Sequence, residues 1–427
     1  MSNLTKVKLG DILDVKRGMS LSGEYYSTNG SLIRLTLGNF TYPECGFKNN
    51  TSKSDIYFVG PVKEDFIMKK GDIITPLTEQ VRGLLGNTAT IPANDTYIQS
   101  GDIGKIIPNE KLLNKRFAYY LISSPTVKYQ LDSASQQTKI RHTSPDKIKD
   151  CVAFLPNLDY QIKVSNLLDN LNNKIETNNK TIQSLESLAK TIYDYWFLQF
   201  EFPNEEGKPY KSSGGKMVWN EELKREIPEE WEVKRLADLC TFGNGINFDK
   251  DVIGDKNYKI VNVRDISASS LLINKQIMNT ISLPSELANK YLVKKDDILI
   301  ARSGTPGAVR LVLDIDNVIY CGFIIHCLPN DSEIKLYLTF TLKLYEGTKA
   351  TKTGGSIFQN VSQDTLKSLT VQVPPKKILL AFNSKLNSLI DKMQICSEEN
   401  NQLTSLRDWL LPMLMNGQVT FKENAHE

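Results

Sequence analysis

Apolar residues recur at alternating spacings of three and four from Asp159 to about Phe197: Val164, Leu168, Leu171, Ile175, Ile182, Leu185, Ala189, Ile192 and Trp196, with Asn178 the polar member of the series. This is the a/d seam of a coiled coil. At ~1.5 Å per residue such a helix is on the order of 60 Å long, too long to bury inside an ordinary globular domain. A second run opens near Lys376 with Phe382, Leu386, Leu389, Met393, Cys396, Asn400, Leu403, Arg407 and Leu410. Each of these has a counterpart at one constant offset in the first run, from Val164 to Ile192. Two such helices in one chain are suited to pack on each other. Pro412 is expected to stop or kink the second, and Asn416-Gly417 to cap it.

The segments between the helices also repeat. Val7-Lys8 and Asp11 return as Val233-Lys234 and Asp238, and Gly18 returns as Gly245. Lys69-Lys70 and Asp72-Ile73 return as Lys294-Lys295 and Asp297-Ile298, and Ile98 through Pro108 as Ile319 through Pro329. Matches that keep their order while loops change length indicate a tandem duplication, each copy a globular module followed by a long helix. Short β-rich runs bounded by Gly, Pro and Asn alternate with short helical patterns, Leu112 to Ile122 and Glu333 to Tyr345 among them. Each module therefore reads as α+β on a twisted, largely antiparallel sheet. The predicted division is module 1–157, helix 158–200, connector 201–230, module 231–375, helix 376–416 and a loose tail 417–427. The Gly-, Pro- and Ser-rich stretch Glu201 to Lys216 reads as a surface connector.

Composition narrows the function by exclusion. The chain has 427 residues, 40% hydrophobic and 24% charged, with a formal charge of +3. That permits nucleic acid as a partner without requiring it. No apolar stretch suits a signal peptide or a membrane span, and six scattered cysteines without a Cys-x-x-Cys suit reduced thiols, so a cytoplasmic location is expected. Cys321, His326 and Cys327 follow the pattern of a buried strand rather than of a metal site, and no metal is expected. The three histidines have no motif partners, no phosphate-binding Gly-x-x-x-x-Gly-Lys-Ser/Thr occurs, and no Asn/Asp-Pro-Pro-Tyr/Phe is present to hold a flipped adenine. A catalytic constellation cannot be assembled, so the chain reads as a non-enzyme.

The candidates for binding nucleic acid are loops. One group is Gln136, Gln137, Lys139 and Arg141, aligned with Lys352, Thr353, Ser356, Gln359 and Asn360 in the second module. Another follows the repeated Asp-Ile strand: Gln80 and Arg82 in the first module, and Arg302, Ser303 and Thr305 in the second. Lys and Arg neutralise phosphates, while Gln, Asn and Arg can pair bidentately with base edges. The same composition also suits plain solvated loops.

With its two divergent modules and two helices in one register, the chain resembles the DNA-specificity subunit, HsdS, of type I restriction–modification systems. Tyr193 to Phe197, Phe202-Pro203, Gly207 to Tyr210, Ile227 to Trp231, Leu406 to Pro412 and Met415 to Gly417 are similar to that family's characteristic stretches. The resemblance covers essentially the whole chain. It implies two target-recognition domains separated by long antiparallel helices with a pseudo-two-fold axis, each domain reading one half of a split, asymmetric site in double-stranded DNA. It also implies that two methyltransferase subunits dock on the helices and that motor–nuclease subunits join them, with S-adenosylmethionine, ATP and Mg on those partners and no cofactor here. The seam residues Leu168, Leu171, Ile175, Asn178, Ile182, Leu185, Ile192, Trp196, Leu386, Leu389, Met393, Asn400, Leu403 and Leu410 are then candidates for helix pairing and docking. A specificity module of a methylation-only or phage-exclusion system, and a coiled-coil adaptor that binds protein, are the alternatives.

Overall fold

The computed structural model describes residues 4–42, 44–134, 141–247, 254–275, 278–294, 297–313, 316–346, 361–419 and 421. The chain is α+β and packs as two compact units, Met1–Lys174 with Gln402–Glu427 and Ile175–Asn401. Each long helix therefore contributes to both units.

The duplication is visible in strand order. Each module closes by pairing its first strand with its last, antiparallel: Thr5–Lys8 with Val152–Leu155, and Glu232–Arg235 with Thr370–Val373. Its centre is a four-stranded antiparallel sheet. In the first module the order is Leu13–Arg17, Ile103–Pro108, Ile73–Pro76, Ala89–Thr90. In the second it is Cys240–Asn244, Ile324–Pro329, Ile298–Ala301, Val309–Leu311. The aspartate before the third of these strands performs the same task twice. Asp72 accepts the Lys69 amide at 2.9 Å, and Asp297 accepts the Lys294 amide at 2.6 Å. The neighbouring strand supplies a basic partner to each, Lys105 at 2.6 Å and His326 at 3.0 Å.

The expectation of one sheet per module needs correction. Each module holds several small sheets, and one contains a parallel pair: Leu32–Arg34 with Tyr97–Ile98, and Lys256–Val261 with Val318–Tyr320. With strands of only two to six residues, no single sheet covers the core, and side chains from two sheets have to share it.

The first long helix runs from Leu158 to Tyr193 and continues as a π turn over Asp194–Leu198. The π turn rotates the last residues so that Tyr193, Trp196 and Phe197 are all buried, beyond what a regular seam provides. Phe197 meets Phe382 and Tyr337 edge-on at 4.7 and 4.8 Å between ring centroids, which centres the core of the second unit. The second helix runs from Lys376 to Met415 and continues past Pro412, which does not stop it. Pro412 lies in the last turn, where few intrahelical bonds follow, and buried Leu414 and Met415 hold that turn in place. Gly417, at φ +63°, then ends the helix with its amide on the Leu414 carbonyl at 3.2 Å, as the cap pattern predicts. The helices run antiparallel within each unit: Tyr160 reaches the carbonyls of Leu414 and Val419, and Trp196 packs on Phe382.

The stretch expected to be a plain surface connector is more ordered than that. Phe202 is buried, with Tyr210 stacked on it at 4.6 Å, and a hairpin of Met217–Asn220 with Arg225–Pro228 follows. These aromatics lie among charged and turn residues, so the connector's average composition conceals them.

Candidate nucleic-acid interface

In the first module the strand Ile73–Pro76 is fully buried, and the chain leaves it through the short strand Thr78–Glu79. That strand pairs with Arg141–His142, which sets Glu79 opposite Arg141. Glu79 is 2% exposed, and its Oε2 accepts the amides of Gly83, Leu84 and Leu85 at 3.0, 2.9 and 3.0 Å. One carboxylate thus ties down a whole turn. The turn holds Gln80, Val81 and Arg82 out into solvent.

Two arginines converge beside it. Arg141 Nη1 lies 3.1 Å from Glu79 Oε1 and also donates to Asp132 Oδ1, while its Nη2 donates to the Asp132 carbonyl. Arg82 forks onto the same Asp132 carboxylate, Nη2 to Oδ2 at 2.8 Å and Nε to Oδ1 at 3.4 Å. Hydrogen bonds from Arg82 and then from Arg141 hold the Asp132 carboxyl down at about 2. Tyr129, one helical turn before Asp132, is 74% exposed.

At the corresponding exit in the second module, the Arg302 amide donates to the Phe323 carbonyl at 2.9 Å and its guanidinium to the Gly322 carbonyl at 3.3 Å. Thr305 and Ser267 share a hydroxyl hydrogen bond at 2.8 Å. Gly304 and Gly307 take the positive φ values that this turn requires, +73° and +81°. Phe323 projects beside Arg302 and is 62% exposed.

The structure thus gathers Gln80, Arg82 and Arg141 on one side of the first module, and Arg302, Ser303 and Thr305 at one turn of the second. Gln136, Gln137, Lys139, Lys352, Thr353, Ser356, Gln359 and Asn360 lie outside the described residues. Reasoning from sequence missed Glu79, Asp132, Tyr129 and Phe323. A search for DNA contacts looks for cations and amides, and no spacing rule links Arg82 to a carboxylate fifty positions on.

Along the helices, Leu168, Leu171, Asn178, Trp196, Leu386 and Met393 are buried. Ile175, Ile182, Leu185, Ile192, Leu389, Asn400, Leu403 and Leu410 are half-buried. Leu188, Ile395, Leu406 and Trp409 leave apolar surface on the helices' outer faces. Among the described residues no helix is long and apolar enough to cross a membrane.

Comparison with known proteins agrees with this duplicated architecture. The sequence profile described as the type I restriction modification DNA specificity domain matches residues 1–187 and 228–405. The chain is 26% identical over 325 residues to the type I restriction enzyme MjaIX specificity subunit of Methanocaldococcus jannaschii, covering 74% of this chain and 72% of that one. It is 23% identical over 409 residues to the HindI specificity subunit of Haemophilus influenzae, covering 82% and 87% respectively. In fold it is similar to the solved S subunit of a type I restriction-modification system from M. genitalium, with a TM-score of 0.55 at 17% identity, covering 97% of this chain and 96% of that one. Since the profile takes in both modules and most of both long helices, the chain belongs to the type I restriction–modification DNA specificity family.

Proposed function

We propose that this chain is the non-catalytic sequence-reading subunit of a cytoplasmic type I restriction–modification complex. Each module reads one half of a split, asymmetric site in double-stranded DNA. The long helices set the gap between the halves and dock two methyltransferase subunits, with motor–nuclease subunits added for cleavage. S-adenosylmethionine, ATP and Mg belong to those partners. The observation that carries the reading is the repetition itself: the same strand exit in both modules opens into a turn with an arginine, exposed at Arg82 and half-buried at Arg302, and each module leads into a helix of one seam register. The exposed Leu406 and Trp409 support the docking role.

Long-read methylation mapping in cells that carry the chain with its methyltransferase partner tests this directly. The expected result is one bipartite motif that disappears when the chain is deleted. Adding one heptad to both helices is expected to shift the gap and leave both half-site sequences unchanged. An unchanged gap in a folded variant would remove the spacing role. Binding to duplex DNA without salt dependence would instead favour a protein-binding adaptor.

A further inference from the structure

Arg82 and Arg141 are held by carboxylates of their own module. Glu79 is fixed by three backbone amides, and Arg141, 16% exposed, is clamped between Glu79 and Asp132. The Arg82–Asp132 link differs in that the Arg82 side chain is 79% exposed and that of Asp132 is 33% exposed. The Arg82 backbone is steadied separately, since the Tyr42 hydroxyl donates to its carbonyl at 2.7 Å. Beside the link is a concavity of about 230 Å³, bordered by Lys128 and by the exposed ring of Tyr129.

A guanidinium fork on a carboxylate has the geometry of a fork on a phosphate or on the O6/N7 edge of guanine. We propose that Asp132 is an internal stand-in for that acceptor pair: it keeps the Arg82 fork aimed and yields it only to DNA that presents a bidentate acceptor in its place. This rests on the DNA-reading role assigned above. Arg141, still bound to both carboxylates, stays in place during the exchange. Duplex that offers no matching acceptor leaves Arg82 on Asp132 and gains nothing from it, whereas matching duplex gains the fork less the ion pair it displaces. Asp132 is a positioning residue that acts through Arg82.

The test uses the full chain assembled with its methyltransferase partner and two fluorescent duplexes, one carrying the motif found by methylation mapping and one of random sequence. Asp132→Asn is expected to bind the duplex carrying the methylated motif roughly two- to fivefold more tightly, the scale of no longer having to break one exposed ion pair. Affinity for the random duplex is expected to rise by a smaller factor, so that the ratio of target to random affinity does not fall. In an Arg82→Ala background the Asp132 substitution is expected to change neither quantity. An Asp132→Asn complex with wild-type affinity for the target duplex, or an effect that persists without Arg82, overturns the proposal. Arg82→Lys, which keeps the charge and loses the fork, covers the case in which Asp132→Asn fails to fold. It is expected to lose discrimination while retaining random-duplex binding, and full discrimination by Arg82→Lys overturns the fork. Methylation mapping of Arg82→Ala separates the sources of the acceptor. Degeneracy at one position of the first half-site identifies a guanine edge. An unchanged motif with a salt slope shallower by about 0.9 identifies a phosphate. A wild-type complex that yields no methylated motif and no salt-dependent binding overturns the DNA-reading role instead, and this proposal with it.

Discussion

The side-chain amide of Asn178 donates to Asn400 Oδ1 at 3.0 Å, across the pair of long helices within the second unit. It also donates to Glu399 Oε2 at 2.8 Å, and Asn400 in turn donates to Asn179 Oδ1 at 2.8 Å. Asn178 is 4% exposed, so this is a buried polar cluster in a seam that is otherwise mostly apolar. A slip of either helix would separate the amides, which is how one buried asparagine fixes register at some cost in stability. Asn178→Leu adds apolar burial and removes two hydrogen bonds whose acceptors, Glu399 and Asn400, are only half-buried and can turn to water. The expected outcome is a gain of roughly 1 kcal/mol, with oligomers or mispaired species appearing in light scattering. A destabilised, monodisperse monomer would assign the amide a different task.

That seam was legible in the sequence because few structures besides paired long helices keep a period near 3.5 over so many residues. The duplication was legible because Asp72 and Asp297 head equivalent strands. The small sheets were not: a two-residue strand such as Tyr97–Ile98 carries no period to read. Pro412 misled because a breaker's effect depends on where in the helix it falls, which only packing around Leu414 reveals. At the candidate interface, Gln80, Arg82, Arg141 and Arg302 could be nominated by residue type. Asp132 and Glu79 could not, because each acts through a partner that only the fold brings near.

The aromatic centre of the second unit gives the largest stability prediction. Phe382 is fully buried and meets Tyr193, Trp196, Phe197 and Phe340 at centroid distances from 4.7 to 6.5 Å. Phe382→Ala leaves a cavity among rings that cannot collapse easily. A loss of about 3–5 kcal/mol is expected in denaturant unfolding.

Glu79 predicts a local effect. Glu79→Ala leaves the amides of Gly83, Leu84 and Leu85 without an acceptor, and Leu84 and Leu85 are buried. At about 1–3 kcal/mol for a buried group left unpaired, the stability of this turn is expected to fall by about 3 kcal/mol. Hydrogen exchange should quicken at these three amides first, while the strand Ile298–Ala301 of the second module keeps its protection.

Asp132 gives the acid response of the first module a definite sign. Its carboxyl is held at about 2 against an ordinary 3.8, so the ion pairs stabilise the folded chain fully above 3.8. That contribution is lost as the pH falls through about 2, where the folded state also takes up the proton. Denaturant unfolding across this range is expected to show a constant difference between wild type and Asp132→Asn at neutral pH. The difference should shrink below 3.8, and a gap that stays unchanged down to pH 2 would contradict the assignment.

The last prediction concerns how the first module is held to its helix. Asp169, on the first long helix, accepts Arg116 Nε at 2.9 Å and the Tyr120 hydroxyl at 2.6 Å, and Arg116 Nη2 closes the fork. The Arg116 guanidinium lies 4.8 Å over the Tyr119 ring, and its Nη1 reaches Thr90 at 3.2 Å. Burial, followed by the hydrogen bond to Asp169, pushes the Tyr120 hydroxyl well above its ordinary range and keeps it a donor. Asn172 continues the chain of contacts, donating to the Tyr120 oxygen at 2.9 Å and accepting from Arg407 at 3.1 Å. Water screens an arginine that is 40% exposed, so Asp169→Ala is expected to cost only about 1 kcal/mol. Its effect on recognition should be larger than its effect on stability, because Asp169 ties the short helix Lys115–Ile122 to the long one. If each module reads one half-site as proposed, methylation mapping of Asp169→Ala should show weakened selectivity in the first module's half-site and an intact half-site for the second. Equal loss in both halves would mean that Asp169 supports the fold as a whole rather than the seating of one module.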